Sequence, residues 1–329
     1  MVFGREPRTA LSMATSNTRD SHVESERSIL EKTNLSVRRI GFIGSGAAAG
    51  ALARAFATAG QYVVAVSSRQ SSRARELAAS ISGCSAVYDP QVVVESSDLV
   101  FLAVPDTAIA SVCESLTWRP NLAVVHCSGA HSVDVLSSAA RAGALVGGFH
   151  PLQTFAGRPD DAERVAGSVI GIEADATLKS ALTVLARSIR GRPVYLSAEN
   201  KPLYHASAVL ISNYVVTLAA IAAELWDTFN VPRNEALDAL LPLLSGAVAN
   251  LNQVGLPDAL TGPIARGDGA TVEDHLRSLA RNRPQLVPLY QELGYKTVDL
   301  ALECGLDSRS ADAIRSVLAG SNADDAVPN

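Results

Sequence analysis

The feature that most constrains this chain is a glycine-rich turn between an apolar run and an alanine-rich run. The apolar run 39–43 predicts a strand, and Gly44, Gly46 and Ala49 follow it in the spacing G-x-G-x-x-A, where a helix is predicted over 47–59. In such a turn the first glycine permits the tight bend, the second lets the backbone approach a pyrophosphate, and the small third residue lets the helix pack closely on the sheet.

The N–H groups at the start of that helix attract phosphate. The turn therefore predicts a dinucleotide site, and the alternative is a glycine turn that binds nothing. The predicted cofactor-binding residues of the turn are Gly44, Ser45, Gly46, Ala47, Ala48 and Ala49.

Short apolar runs alternate with helical patterns over residues 38–198. This alternation predicts an α/β fold with a doubly wound, mostly parallel Rossmann sheet. After about residue 198 the patterns are helical only, which predicts an all-α C-terminal domain over 199–319. Residues 1–37 are rich in Ser, Thr, Arg and Glu, and we expect a disordered leader there and a flexible tail at 320–329.

Composition excludes several classes of protein. The net charge of −5 gives no basic field for nucleic acid. The four cysteines lie far apart without a C-x-x-C pair, so they form neither a disulfide framework nor a zinc pattern, and they suit a reducing cytoplasm. No group of His, Cys, Asp and Glu has metal-ligand spacing, and the N-terminus has no secretion signal. The apolar stretch 201–229 predicts one long helix, and its polar residues favour a buried helix over a membrane span.

The end of the second predicted strand distinguishes between two cofactors. NAD sites place an acid there to accept from the ribose 2′-hydroxyl, but this chain has Ser67, Ser68 and Arg69, with Arg73 one turn later. Hydroxyls and guanidinium groups suit a 2′-phosphate, so we predict NADP(H). The alternative is that both arginines are simply solvated.

Two later strand ends also point to the cofactor. Ala103, Val104 and Pro105 end one apolar run, and Ser128 and Gly129 follow another. Ligands of open parallel sheets bind beyond the carboxyl ends of the strands, so we expect these residues to line the nicotinamide region.

The start of the helical region carries the predicted catalytic residues. At about 100° per residue, Lys201, His205 and Ser212 fall on one helix stripe, with an ammonium and an imidazole side by side and with Ser212 as a candidate substrate-binding residue. Carbonyl reduction needs such a proton donor, and a neighbouring imidazolium would lower the pKa of the lysine. The chain has 24 arginines and only four lysines, and lysine is the better proton donor. The alternative is a solvated lysine beside a capping or packed histidine.

Two further segments carry candidate substrate-binding residues. His150, Gln153 and Thr154 follow the last strong strand and could bind a carboxylate or carbonyl, although a structural histidine is equally consistent. Thr261 and Arg266 lie in a glycine-rich loop between helices. Arg266 could hold a carboxylate, or it could pair with Asp268 or a helix end and only fix the loop.

Five segments together resemble a bacterial family of Rossmann-like proteins whose C-terminal helical domain was long of unknown function. These segments are 44–46, 126–129, 149–155, 201–205 and 260–268. That family is similar to the superfamily of 6-phosphogluconate dehydrogenase, 3-hydroxyisobutyrate dehydrogenase, ketopantoate reductase and pyrroline-5-carboxylate reductase. The resemblance implies an NADP(H)-dependent oxidoreductase with its active site between two domains, and a homodimer built through the helical domain.

In ketopantoate reductases and β-hydroxyacid dehydrogenases a helix carries a catalytic lysine, with an asparagine four residues later. Lys201 matches the lysine, but His205 stands at the asparagine position. Some relatives are linked to pantothenate synthesis, so we predict NADPH-dependent reduction of a small 2-oxo acid, with 2-dehydropantoate (ketopantoate) as the first candidate. The alternatives are an imine reductase, a prephenate- or arogenate-type dehydrogenase similar in its His150-Pro151 pair, and a non-catalytic NADPH sensor that binds a partner protein.

Overall fold

A computed structural model describes residues 37–320 of the chain. The described chain divides into two compact units, with the division between Ser212 and Asn213. The first unit thus extends beyond the predicted boundary at residue 198, because the helix that begins at Lys201 is anchored on the sheet through its first turn. The predicted leader and tail lie outside the described residues, apart from Val37 and Gly320.

The first unit is built on one eight-stranded sheet in the order β3-β2-β1-β4-β5-β6-β7-β8. Neighbouring strands are parallel except β6 and β7, which pair antiparallel. This arrangement confirms the predicted doubly wound, mostly parallel sheet, although the sequence analysis did not predict β3. The strands are β1 (Arg39–Ile43), β2 (Tyr62–Ser67), β3 (Ser85–Val87), β4 (Leu99–Leu102), β5 (Ala123–His126), β6 (Leu145–Leu152), β7 (Val169–Ala174) and β8 (Arg192–Tyr195).

Helices cover both faces of this sheet, because successive side chains of a buried strand point to opposite faces. Along β4, Phe101 joins one buried apolar cluster and Leu102 joins the other. Phe42 and Phe101 stack at the centre of the first cluster, with ring centroids 4.8 Å apart. The helices are α1 (Ala47–Thr58), α2 (Ser71–Ala79), α3 (Pro90–Ser96), α4 (Ile109–Glu114), α5 (Ser137–Arg141), α6 (Ala176–Ser188) and α7 (Lys201–Ile211).

The second unit contains helices and no strand within residues 213–320. A small apolar core that includes Val272, Val298 and Ile314 joins its last three helices. This all-α unit agrees with the predicted C-terminal domain. Its helices are α8 (Asn213–Leu225), α9 (Arg233–Gln253), α10 (Gly269–Asn282), α11 (Val287–Glu303) and α12 (Ser308–Leu318).

The apolar stretch 201–229 is divided into α7 and α8 by a break at Ser212, and it ends in a short 3₁₀ turn. By length and composition it is the one helical stretch of residues 37–320 that could cross a membrane, with a mean hydropathy of 1.8. Only 6% of this window is buried within the chain. The prediction of a buried helix is therefore wrong for the single chain, in which most of this window is exposed.

Candidate functional site

The glycine-rich turn has the geometry that its sequence predicts. Gly44 adopts a φ of +111°, and a Cβ atom at this position would collide with the carbonyl oxygen of Ala103. Both the positive φ and this collision exclude a side chain at Gly44. The collision also shows that the ends of β1 and β4 lie close together. Gly46 has open space around the position of a Cβ atom, and it caps α1 without any side-chain hydrogen bond. The first N–H groups of α1 are thus available to a phosphate.

A cleft of about 300 Å³ opens in front of this turn. Its wall brings together helix N–H groups and two guanidinium groups, which is the donor set that a phosphorylated nucleotide requires. The residues therefore fit NADP(H). The lining residues are Ser45, Gly46, Ala47, Gly50, Arg54, Arg73, Glu76, Leu77, Ala156 and Gly157.

The predicted 2′-phosphate residues divide into two groups. Arg73 lines the cleft, and Arg54, which the sequence analysis missed, lies beside it. The only signal for Arg54 was a charged residue within the otherwise apolar helix α1. Arg69 is exposed and is not part of the cleft wall.

The two predicted serines have other partners. The hydroxyl of Ser67, which is 2% exposed, donates to the carbonyl oxygen of Tyr88 at 3.3 Å. The hydroxyl of Ser68 accepts from the backbone N–H of Gln70 at 3.3 Å. These contacts give both hydroxyl groups structural roles, because they fix the loop after β2.

The loop after β5 is held by similar hydrogen bonds. The hydroxyl of Ser128 donates to Asp106 Oδ2 at 2.7 Å and accepts from the backbone N–H groups of Ala130 and His131. Its hydrogen-bonding capacity is therefore used within the loop. The prediction of Ser128 as a cofactor ligand is not supported for its side chain.

Three adjacent strands place one row of residues beside the first turn of α7. His126 of β5 pairs with Gly148 of β6, and Gly148 pairs with Glu173 of β7. Residues paired across strands point to the same face of a sheet, so the histidine and the carboxylate flank a position that has no side chain. A Cβ atom on Gly148 would lie 3.0 Å from Lys201 Nζ and 3.6 Å from His126 Nε2. The ammonium of Lys201 therefore occupies the space that glycine leaves open.

Lys201 is almost completely buried, at 2% exposure. Its Nζ atom lies 3.1 Å from Glu173 Oε2, and this carboxylate is itself buried. Burial lowers the pKa of Lys201, and the hydrogen bond and charge of Glu173 act in the opposite direction. The alternative of a solvated lysine is wrong, and so is the predicted cause of the pKa shift, since desolvation and not an imidazolium of His205 lowers it.

A second glycine anchors the same helix one turn later. A Cβ atom on Gly171 of β7 would lie 3.0 Å from the hydroxyl oxygen of Tyr204. That hydroxyl lies 2.9 Å from Nδ1 of His150, which is the cross-strand partner of Gly171. Lys201 and Tyr204 therefore dock one face of α7 on the sheet, each above a glycine.

The predicted catalytic residue His205 belongs to a neighbouring cluster. A Cβ atom on Gly129 would lie 2.8 Å from Nε2 of His150 and 2.8 Å from Cδ2 of His205. The two imidazole rings lie 6.3 Å apart, edge to face. The structure thus brings His150, His205 and Gly129 together, while Lys201 contacts Glu173 and the Gly148 position.

Burial sets the charge state of these groups. Desolvation, with a smaller contribution from nearby positive charge, lowers the pKa of His126 to about 3 and that of His150 to about 4. Both imidazoles are therefore neutral at pH 7. Desolvation raises the pKa of Tyr204 to about 12, so its hydroxyl keeps its proton. The site combines one buried ammonium with neutral hydrogen-bonding groups, which is a suitable arrangement for proton donation.

Sequence reasoning missed three residues of this site. Glu173 is the one acid in the apolar strand β7, His126 ends an apolar strand, and Tyr204 lies between the two predicted catalytic residues. An acid within a buried strand is a usable signal, because a buried charge needs a partner. The partner itself follows only from the strand register.

Three predicted substrate residues lie apart from this cluster. Gln153 donates to the backbone carbonyl of Arg164 and accepts from the N–H of Thr154, so its amide is engaged locally. Thr154 is exposed. Ser212 shares the helix stripe but caps the opposite end of α7, about 16 Å along the axis from Lys201.

The glycine-rich loop 260–268 of the second unit is fixed by hydrogen bonds between Asp268 and Thr271. Asp268 caps α10 through the backbone N–H and the hydroxyl of Thr271, at 3.1 and 2.7 Å. These hydrogen bonds lower the pKa of Asp268, and Arg266 adds a smaller effect. The guanidinium of Arg266 and the side chain of Thr261 are exposed.

Comparisons with known proteins agree with this geometry. Residues 39–128 match the family described as NADP oxidoreductase coenzyme F420-dependent, and residues 168–297 match a domain of unknown function, DUF2520. A search of curated proteins gives no match.

Three solved structures show the extent of the likeness. A Bacteroides fragilis protein, BF3122, provisionally described as an NADP oxidoreductase, is 27% identical, covers 81% of this chain and 98% of its own, and has a TM-score of 0.63. Protein TM1727 from Thermotoga maritima is 26% identical, with coverages of 80% and 98% and a TM-score of 0.65. The 1-pyrroline-5-carboxylate reductase of Streptococcus pyogenes is 17% identical, with coverages of 84% and 98% and a TM-score of 0.55, and shows the fold alone.

These matches confirm the predicted Rossmann fold and the predicted cofactor class. They do not distinguish among the substrates that the sequence analysis considered. With the cleft at the glycine-rich turn and the buried lysine beside the sheet, the chain is an NADP-dependent oxidoreductase.

Proposed function

We propose that the protein uses NADPH to reduce the carbonyl group of a small 2-oxo acid, with ketopantoate as the first candidate. The observation that carries the proposal is the buried ammonium of Lys201, held 3.1 Å from Glu173 above Gly148. A lysine is rarely placed in such a site for stability alone, because burying an ion pair gains little over packing apolar side chains.

Each residue of this site has a distinct part in the proposed reaction. NADPH, when bound, supplies the hydride that adds to the carbonyl carbon. Lys201 donates a proton to the carbonyl oxygen, so that one Nζ–H bond breaks and one O–H bond forms. The carboxylate of Glu173 opposes the effect of burial on the pKa of Lys201 and keeps its proton in place before transfer. His205 would hydrogen-bond the substrate from the neighbouring cluster.

A carbonyl substrate suits this site better than an imine does. An iminium ion carries its own proton and a positive charge, so an ammonium beside it would repel it. A developing alkoxide is negative and is stabilised by the same ammonium. Imine reduction remains the second candidate, since the fold is shared with a pyrroline-5-carboxylate reductase.

The test is NADPH oxidation by the purified protein with ketopantoate and, separately, with pyrroline-5-carboxylate. We expect turnover with ketopantoate, and a loss of about 10²–10⁴-fold in Lys201→Met with an unchanged Kd for NADPH. Lys296→Met, at an exposed position, is the matched control and keeps full turnover.

Three results would contradict this proposal. Full turnover in Lys201→Met removes the lysine from the mechanism. A preference for the imine reverses the substrate class. Tight NADPH binding without turnover on either compound favours the sensor, which is then sought through its partner protein.

We also propose that the protein is a cytoplasmic homodimer and that a second copy covers its exposed apolar helices. Val216 of α8 is 71% exposed and Leu243 of α9 is 73% exposed, and these two helices pack on each other. Apolar patches of this kind mark association surfaces. Light scattering should show a dimer for the natural chain and a monomer for Leu243→Glu, whereas sedimentation of the natural chain with lipid vesicles would support a membrane role instead.

A further inference from the structure

His126 is a buried residue beside Lys201 to which the proposed mechanism gives no part. It ends β5 and is completely buried, at 0% exposure. Because Gly148 separates it from Glu173 in the strand register, it flanks the ammonium on the side opposite the carboxylate. Its position therefore calls for a reason other than packing.

The hydrogen bond at one ring nitrogen defines the tautomer of this histidine. The backbone N–H of Ser128 donates to Nδ1 at 3.1 Å. Burial and the charge of Lys201 lower the pKa of His126 to about 3, so the ring is neutral. A neutral imidazole that accepts at Nδ1 carries its proton at Nε2. His126 therefore presents an N–H group towards the Gly148 position.

Within residues 37–320, that N–H group has no acceptor in good hydrogen-bond geometry. Nε2 is buried and makes no hydrogen bond to any residue of the described chain. The backbone carbonyl of Ser132 approaches the ring closely enough to raise its pKa slightly, but forms no hydrogen bond with Nε2. An orphaned buried donor costs free energy, so its presence beside a lysine requires an explanation.

The chemistry of lysine supplies one. An ammonium has three N–H donors and no lone pair, so it cannot accept a hydrogen bond from His126. Once Lys201 has given up a proton, its neutral amine carries a lone pair. Nζ and Nε2 lie 3.0 and 3.6 Å from the same Cβ position above Gly148, so both groups border one small space towards which the lysine side chain can rotate.

We propose that His126 is a positioning residue whose Nε2–H donates to the Lys201 amine after proton transfer to the substrate. The inference rests on the proposed role of Lys201 as the proton donor. The proton of His126 stays on Nε2 throughout, and the only covalent changes are the Nζ–H bond that breaks and the substrate O–H bond that forms. Glu173 thus stabilises the lysine before the transfer, and His126 stabilises it afterwards.

Other titratable groups also act on the same lysine. Asp106 and Cys127 both act to raise the pKa of Lys201, although more weakly than Glu173. The charge of Lys201 in turn lowers the pKa of His150. The thiol of Cys127 is only a weak donor, so among these neighbours His126 offers the stronger hydrogen bond to the neutral amine.

The test is the titration of Lys201 in the full chain without substrate, followed by ¹³C NMR of labelled lysine Cε atoms. The sequence has only four lysines, and Lys201→Arg identifies the signal. His126→Asn keeps an acceptor for the Ser128 N–H but places no donor at the position of Nε2, whereas His126→Gln keeps a donor near that position. We expect His126→Asn to raise the pKa of Lys201 by about one unit, a tenfold decrease in its acid dissociation constant, and His126→Gln to shift it by less than half as much.

The proposal is overturned if His126→Asn leaves the titration of Lys201 unchanged, or if both variants shift it equally. A measurement on the natural chain covers the case in which the variants do not fold. With ¹⁵N-labelled histidine, the Nε2–H signal of His126 should move downfield as Lys201 loses its proton. A signal that stays fixed through that titration assigns the N–H to the Ser132 carbonyl and contradicts the proposal. Neither readout needs turnover, so a failure of the proposed reaction would be seen separately.

Discussion

Two glycines of the first unit, Gly46 in the turn after β1 and Gly148 in β6, have opposite roles. At the nucleotide turn Gly46 leaves open space, with no atom within 4 Å of a Cβ position. Beside α7 the space above Gly148 is filled by the chain itself, through the ammonium of Lys201. The first glycine makes room for a ligand, and the second makes room for a reactive group of the protein.

This difference shows why one site is visible in the sequence and the other is hidden. A phosphate site needs several consecutive backbone groups, so its glycines cluster into a motif. Room for one side chain needs only one missing Cβ atom on a strand, so Gly148, which follows Gly147, and Gly171 lie within strands and belong to no recognisable motif. The role of these two glycines can be recognised only when the pairing register of the strands is known.

The largest expected effect is at the nucleotide turn. Gly44→Ala should destabilise the chain by about 3 kcal/mol or more, because alanine is strained at a φ of +111° and its methyl group meets the Ala103 carbonyl. Thermal denaturation and NADPH titration measure the loss. Gly46→Ala is the matched control and should weaken NADPH binding with little change in stability. Equal melting temperatures for the two variants would break the distinction between the two glycines.

The next effect concerns the charge beside Lys201. Glu173→Gln removes the group that raises the pKa of Lys201, so this pKa should fall by about one unit or more. Since the donor must be protonated, kcat/KM falls as pH rises through that pKa. The alkaline limb of the pH profile should therefore move to lower pH. An unchanged alkaline limb would mean that the ion pair of Glu173 and Lys201 contributes to folding and not to proton transfer.

Substitution of Gly148 tests the comparison of the two glycines directly. In Gly148→Ala the methyl group lies 3.0 Å from Lys201 Nζ, and the flexible end of the lysine must move by a few tenths of an ångström. We expect turnover to fall about tenfold with nearly unchanged stability, since small misplacements of a reacting group are costly. Gly171→Ala, which displaces Tyr204 and Leu196, is the control and should leave the alkaline limb in place. Full turnover in Gly148→Ala would mean that the missing side chain at this position has only a structural role.

The smallest effect is on cofactor choice. Arg73→Gln removes one of two guanidinium groups in the cleft and should weaken NADPH binding about tenfold or less, with NADH binding unchanged. Fluorescence titration with each nucleotide measures the ratio. Arg69→Gln, at an exposed position outside the cleft wall, is the control. A larger loss in the Arg69 variant would restore the prediction that this residue contacts the phosphate.

Sequence reasoning predicted the fold well, because most strands of the Rossmann sheet are local apolar runs, and it missed only β3, which has three residues and none of them buried. It also identified Lys201, since a lysine at a helix start is conspicuous in a chain rich in arginine. It could not predict Glu173 as the partner, because that contact depends on the antiparallel pairing of β6 and β7. The structural contacts of Ser67 and Ser68 were also beyond sequence reasoning, since the hydroxyl groups predicted at the 2′-phosphate make hydrogen bonds to backbone groups of the same region.

The antiparallel pairing of β6 and β7 has a consequence for how this chain can change in evolution. Loops tolerate insertions, so the connection between these strands can lengthen at positions other than Ala156 and Gly157, which line the nucleotide cleft. Within either strand, a single inserted or deleted residue would turn Glu173 to the other face of the sheet. Lys201 would then lose its counter-ion although every residue type was retained. Homologous chains that keep this chemistry should therefore vary in the length of the loop and never in the number of residues between Gly148 and the end of its strand, or between Glu173 and the start of its own.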